Sequence, residues 1–241
     1  MKSLKEKYAL ITGAGSGIGR AIAEKLVKEE VNLILLDRDT KSLTDLKNLA
    51  DKSKVCIDTV EMDISDKEKR RNIFNIVNKL SGKLDVLVHC AGTIYQSDVE
   101  GTSDEDLDYT FQVNFNAPFI LTRELLPLLK AAKGQILFIN SSAIQRPMAK
   151  LSHYAASKHA LKGFTDALRE EVNPDSIRVI SLYPGKTATE MQQKLYQDVN
   201  REYKSELLIQ PDDIATTICS LLSMPRTVEV TDMYLRPMKK S

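Results

Sequence analysis

The 241-residue chain has no tryptophan and only three cysteines, Cys56, Cys90 and Cys219, which stand far apart. An odd, scattered set of thiols supports neither a disulfide framework nor a zinc knuckle, and no metal site is expected. Charge of one sign is missing too: 34 Lys and Arg stand against 33 Asp and Glu, a net charge of +1. That balance gives no electrostatic footprint for nucleic acid or an anionic membrane. Long apolar runs are also lacking. Val31–Leu36, already broken by Asn32, falls far short of the roughly 20 residues that span a bilayer. Met1–Lys7 is charged and the apolar stretch after it is interrupted by glycines, so no secretory signal is expected. What is present is ample for a folded core, with 42% hydrophobic and 28% charged residues. Disorder is excluded, and a soluble, cytoplasmic globular protein is expected.

Short aliphatic runs alternate with amphipathic helical stretches. Tyr8–Thr12, Val31–Leu36, Val55–Met62, Leu84–His89, Gln135–Asn140, Ile177–Leu182 and Thr227–Tyr234 read as strands. The runs are continuously apolar, as parallel strands covered on both faces require. Between them lie helical patterns: Ile18, Ile22, Leu26 and Val27; Leu43, Leu46 and Leu49; Ile73 to Leu80; Leu107–Leu129; Tyr154–Val172; and Ile214–Leu222. Strict β-α alternation predicts an α/β fold, a Rossmann-like doubly wound parallel sheet of about seven strands with helices on both faces. No linker or repeat divides the chain, so residues 1–241 read as one domain that binds a dinucleotide and carries the catalytic residues. The stretch 185–210 departs from the alternation. Its length and mixed charge fit a substrate loop or lid, and a permanently packed surface helix fits nearly as well.

Directly after the first strand comes Thr12-Gly13-Ala14-Gly15-Ser16-Gly17-Ile18-Gly19, opening the first helix. Glycine allows backbone conformations closed to other residues and a close approach to a pyrophosphate. The first helical amides then face that anion, with the helix dipole behind them. Asp37 ends the second strand at the expected offset of about 20 residues. Its carboxylate suits the adenosine ribose hydroxyls and repels a 2′-phosphate, which favours NAD as cofactor. Arg38 follows directly and could pair with a 2′-phosphate, which keeps NADP as the alternative.

The spacing Thr-Gly, three residues, Gly, one residue, Gly resembles that of the classical short-chain dehydrogenase/reductase family, and the resemblance extends along almost the whole chain. Asp63 before Ile64, Ala91-Gly92, Asn114, Ile139-Asn140-Ser141-Ser142, Tyr154-Ala155-Ala156-Ser157-Lys158 and Pro184-Gly185 followed by Thr189 match its motifs in order. The resemblance implies an oxidoreductase moving a hydride between NAD(P) and a secondary alcohol or carbonyl. It implies catalytic roles for Ser142, Tyr154, Lys158 and Asn114. It also implies cofactor contacts from Gly13, Ser16, Gly17, Ile18, Gly19, Asp37, Arg38, Asp63, Ile64, Ala91, Gly92, Tyr154, Lys158, Pro184, Gly185, Thr187 and Thr189, with Asp63 matching the acidic residue that holds the adenine amino group. One departure stands out: where the family has two asparagines, this chain has His89-Cys90, so the side-chain bonds that brace that turn are lost or supplied otherwise.

Tyr154 and Lys158 are four residues apart and share a helix face. A free phenol with a pKa near about 10 is a poor base at neutral pH, and a nearby ammonium favours its ionised form. In the family reading Lys158 lowers the Tyr154 pKa by ~2–3 units, worth about 3–4 kcal/mol. Ser142 orients the substrate oxygen, and Asn114 holds a water that links Lys158 to solvent. Ser141 competes for the serine role, since neighbours on a strand face opposite ways; the family register favours Ser142.

Pocket loops are expected at Ile94–Gln96, Ile144–His153 and Lys186–Tyr203, beyond the carboxyl ends of the strands. Arg146 or Lys186 could receive an anionic group of a small-molecule substrate, or both could be solvated. The two long helices carry Phe111, Val113, Phe115, Phe119 and Phe164, more apolar surface than one sheet face needs, which fits a homodimer or homotetramer. Two other readings use the same residues: a non-catalytic nucleotide sensor or scaffold, and epimerisation or dehydration through transient oxidation.

Overall fold

The computed structural model describes residues 3–50, 54–146 and 148–239; Pro147, in the second predicted pocket loop, lies outside them. The elements run β1 (Tyr8–Thr12), α1 (Gly17–Lys28), β2 (Asn32–Asp37), α2 (Thr44–Ala50), β3 (Ile57–Glu61), α3 (Lys67–Arg71), α4 (Ile73–Ser81) and β4 (Val86–His89). They continue with α5 (Asp104–Phe111), α6 (Ala117–Ala132), β5 (Gln135–Ile139), α7 (Ser152–Val172), β6 (Arg178–Pro184), α8 (Glu190–Asp198), α9 (Pro211–Leu222) and β7 (Asp232–Leu235). All seven strands join one parallel sheet in the order β3-β2-β1-β4-β5-β6-β7. The order reverses between β1 and β4, and a doubly wound sheet opens its binding crevice at such a point.

Alternation along each strand sorts the core into two layers. Ala9, Ile11, Leu33, Leu35, Val86, Val88, Leu137 and Ile180 face α1, α2 and α9, where Ile22, Leu26, Leu46, Ile214 and Ile218 meet them. Leu10, Ile34, Leu36, Leu87, Ile136, Phe138 and Val179 face the other way, onto Ile73 and Val77 of α4, Leu121 and Leu125 of α6, and Leu161 and Leu168 of α7. Each such aliphatic side chain contributes about 1.5–3 kcal/mol by leaving water. No helix among the described residues is long and apolar enough to cross a membrane.

The structure refines the sequence expectation in three places. The helix expected over 107–129 is two helices. Ser103 caps α5, with three acidic residues in its first turn, and a π-turn at Gln112–Asn116 separates α5 from α6. The Asn114 carboxamide bonds both the amide and the carbonyl of Thr93, anchoring the widened turn to a neighbouring segment. The stretch 185–210 contains α8, whose first turn is capped by the Thr189 hydroxyl on the Gln192 amide. The last strand begins at Asp232 and not at Thr227.

Candidate active site

The glycine turn lies where β1 and β4 diverge. Gly13 and Gly17 have positive φ, +67° and +51°, conformations that disfavour other residues. A Cβ on Gly13 would come within 2.7 Å of the Ala91 Cα, so the turns after β1 and β4 interlock backbone to backbone. Ser16 stands at the N-cap of α1 in an extended conformation, its side chain caps no amide, and the first turn holds no acidic residue. The amides over Gly17, Ile18 and Gly19 therefore form an anion seat, and the residues present fit the pyrophosphate of a dinucleotide. Thr189 arrives from beyond β6: a Cβ on Gly17 would lie 3.1 Å from its methyl group. Gly185 is held against β7 by the hydrogen bond its amide donates to the Leu235 carbonyl, and the Thr187 hydroxyl donates to the Gly185 carbonyl.

On the other side of the turn the Asp37 carboxylate accepts the Gly15 amide at 2.8 Å and the Asp39 amide at 3.2 Å. Arg38 is exposed and lies near enough to Tyr109 and Asp63 for its charge to act on both side chains. Burial works to raise the Asp63 carboxyl, but the amide and hydroxyl of Ser65, with Arg38 and Lys69 nearby, hold it below its usual value. Asp63 is therefore an anion beside Ile64, as an acceptor for an exocyclic amine needs to be.

The catalytic candidates converge below this cradle. Lys158 is buried on α7 and its ammonium donates to the Ile139 carbonyl at 3.1 Å. It lies 5.9 Å from the Tyr154 ring centre. A Cβ on Gly92 would meet Asn114 Oδ1 at 3.4 Å and Lys158 Nζ at 3.8 Å, so those two side chains meet at the end of β4. Asn114 also donates to the Ser157 hydroxyl, fixing the π-turn against α7.

Two expectations read differently in the structure. The hydroxyl that acts on the Tyr154 phenol, favouring its ionised form, is that of Ser141 and not that of Ser142. The chain leaves β5 at Asn140, whose Oδ1 accepts the Ser141 amide; Ser141 then caps a short 3-10 turn in which Ser142 is already the first residue. The Tyr154 pKa also lies above the ordinary phenol value in the cofactor-free protein, because burial outweighs the effect of the Ser141 hydroxyl. Lys158 is itself lowered to about 8 by burial, so the attraction expected between the two groups does not dominate here.

Sequence reasoning missed two supports. Thr12 accepts the amides of Cys90 and Ala91, at 3.1 and 3.2 Å, taking over the bracing that the asparagines would provide. His89 bonds Thr122 and stacks on Phe138, and burial lowers it to about 3, so it is a neutral packing residue. Burial pushes the Cys90 thiol up to about 12, which removes thiolate chemistry. Asn140 donates to the Lys158 carbonyl and so holds α7 against β5. Among the predicted pocket residues, Arg146 is exposed and His153 is buried, while Lys186 donates to the Tyr196 hydroxyl at 3.0 Å. A cleft of about 290 Å³ separates Ile94, Tyr95 and Gln96 from Met191 and Leu195 of α8.

The lysine makes stability depend on pH. Between pH 8 and about 10 the unfolded chain keeps the Lys158 proton while the folded chain releases it. Below pH 8 the folded state carries a buried ammonium, and that cost fades as the pH rises. Cofactor-free protein should therefore gain about 3 kcal/mol on Lys158→Met between pH 7 and 10, at about 1.36 kcal/mol per unit. Urea unfolding of both proteins across that range checks this; a constant difference refutes it.

The family model for short chain dehydrogenase matches residues 7–200. Sepiapterin reductase of Chlorobaculum tepidum is 30% identical over 236 residues, covering 95% of each chain. The chain is also 28% identical to glycine betaine reductase ATRR of Emericella nidulans, but spans only 19% of that protein. Among solved structures, L-sorbose reductase from Gluconobacter frateurii, complexed with NADPH and L-sorbose, superposes with a TM-score of 0.89 at 28% identity, covering 99% of this chain and 98% of that one. An alcohol dehydrogenase from Thermococcus sibiricus, complexed with 5-hydroxy-NADP, gives 0.88 at 28% identity, over 98% and 99% of the two chains. The chain belongs to the short-chain dehydrogenases, and it is an NAD(P)-dependent oxidoreductase acting between alcohols and carbonyls.

Proposed function

We propose that this enzyme interconverts a secondary alcohol and its carbonyl with NAD(H), using Tyr154 as the acid and base at the substrate oxygen. The observation that carries this reading is the meeting of Lys158, Asn114, Tyr154 and Ser141 beside the glycine turn. When bound, the nicotinamide supplies or accepts the hydride. Tyr154 then gives or takes the proton at the oxygen, and Ser141, not Ser142, donates a hydrogen bond to that oxygen and orients it. Lys158 carries positive charge toward the phenol and lowers the cost of its ionisation, which burial alone raises. Asn114 holds the end of β4 and α7 together and would seat a water through which Lys158 exchanges protons with solvent. The stretch 185–210 acts as the lid. Its α8 faces Ile94–Gln96 across the cleft, and Gln96 reaches the Leu195 carbonyl at 3.5 Å.

NAD(H) is favoured because the Asp37 carboxylate is fixed by two amides at the ribose end of the cradle, while Arg38 is turned toward Tyr109 and Asp63. The two solved relatives described above carry NADP-type cofactors, so the ranking is worth direct measurement. The cysteines among the described residues are all free, which supports a reducing, cytoplasmic setting. A second copy of the chain is the proposed partner. Phe115 of the π-turn, Phe119 of α6 and Phe164 of α7 form one aromatic cluster, with Phe119 40% exposed.

Tyr154→Phe is expected to abolish turnover against a panel of alcohols and carbonyls while leaving cofactor binding intact. Ser141→Ala should lose about 10²-fold or more in kcat, as removal of an oxyanion donor does. Ser142→Ala should lose little; the opposite ranking would return the role to Ser142. Titration should give NADH at least tenfold tighter than NADPH, a ranking that Asp37→Ala erases; tighter NADPH would make Arg38 the reader of the ribose. Light scattering should find a dimer or tetramer that Phe119→Glu dissociates, and a monomeric wild type would refute the partner.

A further inference from the structure

Arg70 has no place in the chemistry above, yet its side chain is entirely shut off from solvent. It sits in the five-residue helix α3, and its guanidinium bridges two segments distant in sequence. Nη1 donates to the Ile64 carbonyl, in the turn that holds Asp63. Nη2 donates to Gln112 Oε1 at 3.3 Å, on the first residue of the π-turn that presents Asn114. Nε has no partner among the described residues, and no carboxylate there forms an ion pair with the group. A guanidinium stripped of water with no carboxylate in direct contact is costly, and an aliphatic side chain would fill the same space without that cost. The feature that offsets the cost is the pair of oxygens, one on each turn.

We propose that Arg70 is a positioning residue that couples the adenine-reading turn at Asp63-Ile64 to the π-turn carrying Asn114. The planar fork suits this role because it reaches two acceptors at a fixed separation. Asp63 and Asp66 lie near enough for their charge to act on it, so the adenine acceptor and the brace share one electrostatic environment. Occupation of the adenine site would then tighten the turn that aligns Asn114 with Lys158 and Ser157. The inference rests on the proposed nucleotide site, and it adds a link between that site and the proton-handling end.

The test uses ADP-ribose, which needs no substrate and no turnover. In the wild type, ADP-ribose should slow hydrogen–deuterium exchange both at 63–66 and at 112–116. Gln112→Leu keeps Arg70 and the Ile64 contact; it should bind ADP-ribose within about twofold of wild type but lose the slowing at 112–116. Arg70→Met should bind ADP-ribose about tenfold more weakly by calorimetry and exchange faster in both segments, and Arg70→Lys, which lacks the fork, should not restore the coupling. Unaltered protection of 112–116 in Gln112→Leu overturns the link even if Arg70→Met fails to fold. Wild-type affinity in a folded Arg70→Met overturns it as well. Failure of the wild type to bind ADP-ribose would instead overturn the nucleotide site, and the coupling with it.

Discussion

Where β1 and β4 part, their following turns approach so closely that no side chain fits between Gly13 and Ala91. The remaining site geometry depends on this backbone contact. It sets the amides of α1 at the mouth of the crevice, and it brings the end of β4 under them. From there a side chain added at Gly92 would meet both Asn114 and Lys158. A methyl group on Gly13 would push the β4 turn outward, and the displacement would pass to the lysine and the asparagine together. The phosphate seat and the proton-handling groups are thus two sides of one narrow join.

Around that join, buried polar groups are satisfied largely by main chain. Lys158 rests on the Ile139 carbonyl, Asn114 on both polar groups of Thr93, Thr12 on the amides of Cys90 and Ala91, and Asn140 on the Lys158 carbonyl and the Ser141 amide. Each bond is modest, about 0.5–1.5 kcal/mol, but an unmade one in this setting costs more. The arrangement therefore selects one conformation more than it adds stability. The depressed lysine and the raised tyrosine have the same origin: the dry surroundings that hold them in place also resist their charge.

What could be read in the sequence was local. Aliphatic runs without alternation announced a sheet covered on both faces, the glycine spacing announced the turn, and the four-residue interval placed Tyr154 and Lys158 on one face. The serine choice was not local, because it depends on where the chain turns after Asn140, and the Asn140 carboxamide decides that. The π-turn was hidden because Val113 and Ala117 keep an apolar pattern through it. The helix α8 is mostly polar and short, so no periodicity marked it against its charged surroundings. Thr12 and Arg70 look like an ordinary strand hydroxyl and a surface cation. Their roles come from partners far along the chain, at Cys90 and at Gln112.

The widened turn at Gln112–Asn116 also has a consequence for how α5 and α6 face their surroundings. One additional residue in a helix rotates everything after it by about 100°, since a turn holds about 3.6 residues. It therefore acts as a phase shifter between two halves of one rod. The upstream half can turn Asp106 toward the cleft beneath α8 while the downstream half keeps Leu121 and Leu125 on the sheet. Substitutions that retune the cleft through α5 can accumulate without rotating the core stripe of α6, so binding surface and packing surface are free to vary separately.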